Sequence, residues 1–232
     1  MSLTKIIIPT IFALSMPMIC DASAISFLEP SNDTEYNYVG IKAGISKPNN
    51  ISGNSDLQSV SNDPSYAMGV LIGRKFMDRF GVEFEYMNRG KDKIKNSANA
   101  TNNNWSVSSN TFMINIVADL ITTDPRYYVK FGCGNSINNA GQYIYNDTTG
   151  SKTWLGKTVN EFAWQAGVGV NLATSKMIDT NIEYAYIDHG KFKTKSGSTF
   201  VGKGLTEADS LDASKIGYLR EQVVTIGMKI RF

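Results

Sequence analysis

The sequence predicts an all-β protein: an eight-stranded antiparallel up-and-down barrel that crosses a membrane, with four long external loops and three short periplasmic turns. Three observations predict it. Segments of about ten residues alternate between bulky apolar and small or polar side chains, as membrane-spanning strands do. The connections between them alternate long and short, as in a meander with one elaborate and one smooth rim. The second face of each segment is mainly glycine, alanine and a few charges, poor material for a solvated exterior. The bulky faces carry too much volume for the inside of eight strands, whose interior only just admits side chains. They therefore belong outside, against lipid, and a soluble barrel is the disfavoured alternative.

Composition narrows the function. The 232 residues carry 23 Lys+Arg against 21 Asp+Glu, too even a balance for nucleic acid to be the main partner. One histidine excludes a His-rich metal site, and no metal or cofactor is expected. At 42% hydrophobic, with 20 glycines besides, the chain is not a disordered tail.

The first segment reads as an address. Lys5 precedes an apolar run from Ile6 to Ile19, broken by Pro9 and Pro17, and Ala22-Ser23-Ala24 follows as a small-x-small cleavage signal. The run is too short for a membrane helix, and bulky Ile19 before Cys20 argues against lipoprotein processing. The expected organisation is a signal peptide over 1–24 cut between Ala24 and Ile25, a short periplasmic segment over 25–35, and the barrel over 36–232. Cys20 leaves with the leader, so Cys133 remains without a disulfide partner.

The eight expected strands cover 38–46, 66–76, 81–89, 108–120, 127–135, 161–172, 178–188 and 223–232. The last is the clearest: Val224, Ile226, Met228, Ile230 and Phe232 alternate with Thr225, Gly227, Lys229 and Arg231. Short connections fall at 77–80, 121–126 and 173–177. The long ones, at 47–65, 90–107, 136–160 and 190–217, are rich in Asn, Ser, Thr, Gly and Lys. An even strand count returns both ends to the periplasm. Aromatics gather in two belts: Tyr36, Tyr38, Phe76, Phe80, Tyr127 and Phe232 toward the short turns, and Tyr66, Tyr86, Phe162, Tyr184 and Tyr186 toward the loops.

Alternation turns ten charges inward: Lys42, Lys75, Lys130, Lys229 and Arg231 against Glu83, Glu85, Asp119, Asp179 and Glu183. An unpaired charge inside a narrow barrel is costly, so the balance implies paired networks. They form either a salt-bridged plug, the favoured reading, or the lining of a gated pore. His189 beside Asp188 raises the question of an enzyme. No serine lies close enough in sequence to suggest a nucleophile, and Ser196 and Ser198 reach His189 only through loop folding, so a surface contact is preferred. In the loops, Lys91, Lys93, Lys95, Lys191, Lys193 and Lys195 are candidate contacts for anionic glycan or lipopolysaccharide, weighed against a merely solvated rim. Trp105 and Trp154 are read either as exposed contact anchors or as rim packing. One short helix is expected at 206–214, with Thr206 as its N-cap and Glu207 and Asp209 in its first turn.

The leader, the eight strands and the terminal strand 223–232 ending in Phe232 resemble the small eight-stranded outer-membrane barrels. The long Asn/Ser-rich loops are most similar to those of opacity-type surface antigens, including alphaproteobacterial ones. That resemblance implies a monomeric, non-enzymatic surface protein of the bacterial outer membrane with a role in adhesion, antigenicity or envelope integrity. A narrow channel for small solutes is the alternative. It also implies partners: outer-membrane lipid, lipopolysaccharide where present, a host-surface protein or glycan, and the barrel assembly machinery, which reads Phe232. No appended peptidoglycan-binding domain is expected, because the sequence stops at the barrel.

Overall fold

The computed structural model describes residues 35–49, 64–95, 104–146, 150–173, 175, 177–202, 205–210 and 216–232. The expected leader, its cut between Ala24 and Ile25, and the segment up to residue 34 lie outside the described residues. Thirteen strands follow one another among the described residues: β1 (Tyr36–Pro48), β2 (Ser65–Phe76), β3 (Phe80–Arg89), β4 (Asp92–Lys95), β5 (Asn104–Asp119), β6 (Arg126–Ala140), β7 (Tyr143–Asn146), β8 (Gly150–Trp154), β9 (Thr158–Ala173), β10 (Ile178–Lys193), β11 (Ser198–Gly202), β12 (Leu205–Ser210) and β13 (Ile216–Arg231).

Eight of these close a barrel in the order β3-β2-β1-β13-β10-β9-β6-β5, and β5 pairs back onto β3. All eight pairings are antiparallel. Closure leaves no open edge, which is what lets a sheet cross lipid: every backbone N–H and C=O finds a partner in the wall. The expected faces hold along the strands. Ile226 on β13 is 61% exposed while Thr225 beside it is 2% exposed. Ile41, Phe84, Ile114, Phe131, Val168 and Ile182 continue the bulky outer band around the barrel.

Two departures come from the strand ends. Tyr36 and Tyr38 were placed by composition in the periplasmic belt, but their even numbers share the inward parity of Gly40 and Lys42. Tyr38 is 5% exposed and points into the lumen, where its hydroxyl donates to Glu83. The Tyr36 hydroxyl accepts from Arg126 at the same mouth. Phe76, Phe80 and Tyr127 do face outward.

At the other rim the wall continues well past the expected strands. β6 runs on to Ala140, β9 starts at Thr158, β10 reaches Lys193 and β13 starts at Ile216. β4 adds to β5, and a second sheet, β12-β11-β8-β7, is built from the two longest connections. The helix expected at 206–214 is strand β12 over its described part, paired with β11. A helix that short has a costly nucleus, whereas an adjacent strand edge offers hydrogen bonds at once.

β10 carries one irregularity. Its ladder with β13 steps from Asp188↔Arg220 to Lys191↔Tyr218, three residues against two. The extra residue is absorbed around Gly190, which has φ +73°, a left-handed conformation natural only to glycine. His189 and Phe192 consequently both face inward, and Lys191 faces out.

Cys133 is exposed on the outer wall of β6, between Phe131 and Asn135. In lipid vesicles it is expected to react slowly with a charged thiol reagent, and rapidly once the barrel is unfolded. Fast labelling of the folded protein in vesicles contradicts the face assigned to β6.

Candidate functional site: a lumen filled in layers

Inward side chains follow one another up each strand at alternate positions, so the lumen is a stack of layers. At the periplasmic mouth Arg126 and Arg231 share Asp179, at 2.6 and 2.7 Å, and Lys75 meets Asp119 at 2.5 Å. Lys75, Asp119 and Asp179 line a cleft there together with Tyr36, Tyr38 and Arg79.

Above it lies the main charge layer. Lys229 pairs with Glu83 at 2.6 Å. Lys42 contacts Glu85 at 2.7 Å and Glu183 at 3.1 Å, and Lys130 contacts the same two carboxylates at 3.1 and 2.5 Å. Two ammoniums thus alternate with two carboxylates in one closed cluster, with Tyr128 donating to Glu183 and Asn115 to Glu85. The structure pairs all ten expected lumenal charges. Room for the tyrosine rings comes from glycine: a Cβ on Gly169 would collide with the Tyr128 ring, and one on Gly73 with that of Tyr38.

The third layer is apolar. Ala67, Met87, Met113, Ala163, Ala185, Ile187 and Val223 form one buried cluster across the lumen. Over it sits a second polar layer. Arg89 pairs with Glu221 at 2.5 Å, and its guanidinium also touches His189 Nε2. Ser46 donates to Glu221 at 2.6 Å. On the other side of the ring, His189 Nδ1 faces the hydroxyls of Thr111, Ser109 and Ser136 at 3.1–3.2 Å. With Arg89 donating to Nε2, the ring proton sits on Nδ1. A fifth layer closes the stack: Trp105, Val107, Ala140, Tyr143, Trp154, Phe192 and Leu219 pack together as an apolar cap.

Arg89, Arg126 and Glu221 extend the charge inventory read from sequence. Arg89 and Glu221 share the inward parity of Glu85 and Thr225 but lie where the apolar alternation on the opposite face stops. His189 was read with Asp188 as a surface pair. The two diverge: Asp188 points outward to Arg220 at 3.0 Å, while His189 is fully buried. Its hydroxyl neighbours come from β5 and β6, not from Ser196, which is exposed, nor from Ser198, whose side chain lies outside the described set. A carboxylate, an imidazole and hydroxyls stand in sequence, but with Nε2 accepting from Arg89 and the proton on Nδ1 the ring has no lone pair toward the hydroxyls and is not placed as a general base. Here they are buried between two apolar layers.

The loop candidates separate in the same way. Lys91, Lys191 and Lys195 are exposed and Lys193 is half-buried. Lys93 and Lys95 lie on β4, with side chains outside the described set. Of the two readings of Trp105 and Trp154 the structure shows packing and not exposed contact anchors: both are cap residues, 1% and 4% exposed. Indole rings have more to gain from an apolar cluster than from water. Phe232 is half-exposed, its backbone bonded in both directions to Asn37. Among the described residues no group of His, Cys, Asp and Glu is arranged to hold a metal.

Comparison with known proteins agrees with this architecture. A family model described as outer membrane protein beta-barrel domain matches residues 12–232. Among solved structures, Neisserial surface protein A is 15% identical, with 84% of this chain and 97% of that chain covered, at a TM-score of 0.47. OprG from Pseudomonas aeruginosa is 15% identical, with 86% and 96% covered, at 0.48. Ail, the attachment invasion locus protein of Yersinia pestis, is 10% identical, with 87% and 100% covered, at 0.45. No curated protein matches the sequence. A closed eight-stranded barrel with a lipid-suited exterior, matched over nearly its whole length, belongs to the outer membrane protein β-barrel domain family and resides in the bacterial outer membrane.

Proposed function

We propose that this protein is a non-conducting display barrel, a structural and adhesive surface protein of the opacity type. Its long connections face host or envelope partners, and no catalysis is part of its role. The observation that carries this reading is the layered lumen. An ion crossing it would have to pass two apolar clusters without hydration, and between them the charges are already paired with one another. The same chain invests many residues beyond the membrane, in extended walls and a second sheet, where a transport role has no use for them. The exposed Lys91, Lys191 and Lys195 give that region a cationic character suited to anionic host glycans. The barrel assembly machinery is the expected partner in biogenesis, through the end of β13 and Phe232.

Reconstitution of pure protein in planar bilayers is expected to give no open-channel currents. Stepwise currents of an aqueous pore support the narrow-channel reading instead. In parallel, bacteria expressing variants with the 136–160 or 190–217 connections exchanged are expected to lose adhesion to host cells while keeping normal barrel levels. Unchanged adhesion of every exchange variant removes the adhesive role.

A further inference from the structure

We propose that the outer wall of β1, β13 and β10, just above the lipid band, is a binding site for a phosphorylated, sugar-headed lipid of the outer leaflet. The basis is an asymmetry around the barrel just above the apolar band. On six of the strands the apolar band ends at a definite outward residue: Ile45 on β1, Val224 on β13, Tyr186 on β10, Tyr86 on β3, Phe112 on β5 and Phe162 on β9. The next outward residues on β3, β5, β6 and β9 are uncharged, Asn88, Asn110, Ser108, Asn135, Asn160 and Thr158, and the exposed Lys91 and Lys157 lie just beyond the ends of β3 and β9. On the three adjacent strands β1, β13 and β10 they are Lys47, Gln222, Arg220, Asp188 and Lys191. Three cations therefore stand together on one side of the barrel.

Their side chains are organised. Tyr218 lies between Lys191 and Arg220, with each cation 5.8 Å from the ring centroid. Asp188 is already engaged at both oxygens, by the Gly190 N–H at 2.9 Å and by Arg220 Nε at 3.0 Å. It thereby orients the guanidinium, whose two terminal nitrogens suit a phosphate. Beneath the cations Trp164 and Tyr186 pack 5.6 Å apart on the outer wall, an aromatic surface on which sugar rings stack. Below them Val224, Ile226, Tyr184 and Ile182 offer an apolar wall for acyl chains.

Height selects the headgroup. At about 3.4 Å per residue and about 40° of tilt, Lys47 stands about 5 Å above the apolar band and Lys191 about 10 Å above it. A phospholipid headgroup layer is only about 5–8 Å deep. A phosphate-bearing oligosaccharide headgroup spans the whole patch, while a glycerophospholipid reaches only its lower part.

The test titrates protein refolded in zwitterionic detergent with diphosphoryl lipid A and, separately, with phosphatidylglycerol, by calorimetry. Lys191→Gln with Arg220→Gln removes two patch cations. Arg74→Gln with Lys157→Gln removes two exposed cations elsewhere, so net charge is matched, and circular dichroism verifies that each variant is folded. The wild type is expected to bind the glycolipid more tightly than phosphatidylglycerol. The patch variant is expected to lose about 25-fold in glycolipid affinity, each cation near an anionic headgroup contributing about a factor of five, and the control variant very little. Equal losses in the two variants, equal affinity for the two lipids, or no glycolipid binding by the wild type would each overturn the proposal.

Discussion

Replacing Glu183 with Ala is expected to destabilise the barrel by about 3–5 kcal/mol, the cost of removing one partner from a buried ion pair. In the native cluster Lys42 and Lys130 are each shared between Glu85 and Glu183. After the substitution two ammoniums face one carboxylate in a space sealed from water by the apolar layer above. The Tyr128 hydroxyl also loses its acceptor. Urea unfolding in lipid vesicles measures the loss. Adding Lys130→Met restores one cation to one anion and is expected to recover most of it, which separates charge balance from lost packing. A loss below about 1 kcal/mol is what solvent-screened pairs give. That outcome means water fills the lumen, and it weakens the non-conducting reading together with the cluster.

Trp105→Ala is expected to act at the opposite end and to act locally. Trp105 meets Phe192 edge-on at 4.8 Å and Tyr143 at 5.4 Å, and its indole N–H donates to the Gly141 carbonyl at 3.1 Å. Truncating a buried tryptophan costs about 3–5 kcal/mol. Here that loss falls on the cap that ties β7 and β8 to the upper walls of β5 and β10, while the wall pairings lower down are untouched. Amide exchange in β7 and β8 is therefore expected to accelerate by at least about a hundredfold, with the β1–β13 ladder keeping its protection. Limited proteolysis of the refolded variant is expected to cut near 143–154 first. Uniform acceleration throughout the barrel shows instead that the cap and the wall unfold as one unit.

These two sites differ in how visible they were in the sequence. Glu183 lies where alternation is cleanest, because lipid on one side and a narrow lumen on the other impose opposite demands on successive residues. Face, pairing partner class and charge balance were all legible there. Trp105 lies past the membrane, where both faces of a strand meet water or loops and the period of two fades. The Asn- and Ser-rich stretches around it look like loops by composition, yet they pair as strands because neighbouring edges are within reach. Parity outperformed composition at three inward positions. It puts Tyr38 inside although tyrosines favour membrane interfaces, and it puts Glu221 and Arg89 in the lumen although the apolar pattern had ended before them. The partners of His189 were not recoverable from spacing, since they come from β3, β5 and β6, none of which neighbours β10 in the sheet.

The irregularity in β10 behaves as a phase shifter. Below it even-numbered residues face lipid; above it Phe192, also even, faces the cap. One residue too many on one strand advances the alternation by half a period, and everything beyond reads in the new phase. Removing Gly190 altogether leaves His189 inward, Lys191 outward and Phe192 inward against an uninterrupted β13, so both faces keep their side chains. Replacing it with alanine keeps the surplus residue, imposes a side chain at φ +73°, and sets a Cβ 2.8 Å from that of Glu161. At this position a deletion preserves the frame that the mildest of substitutions strains.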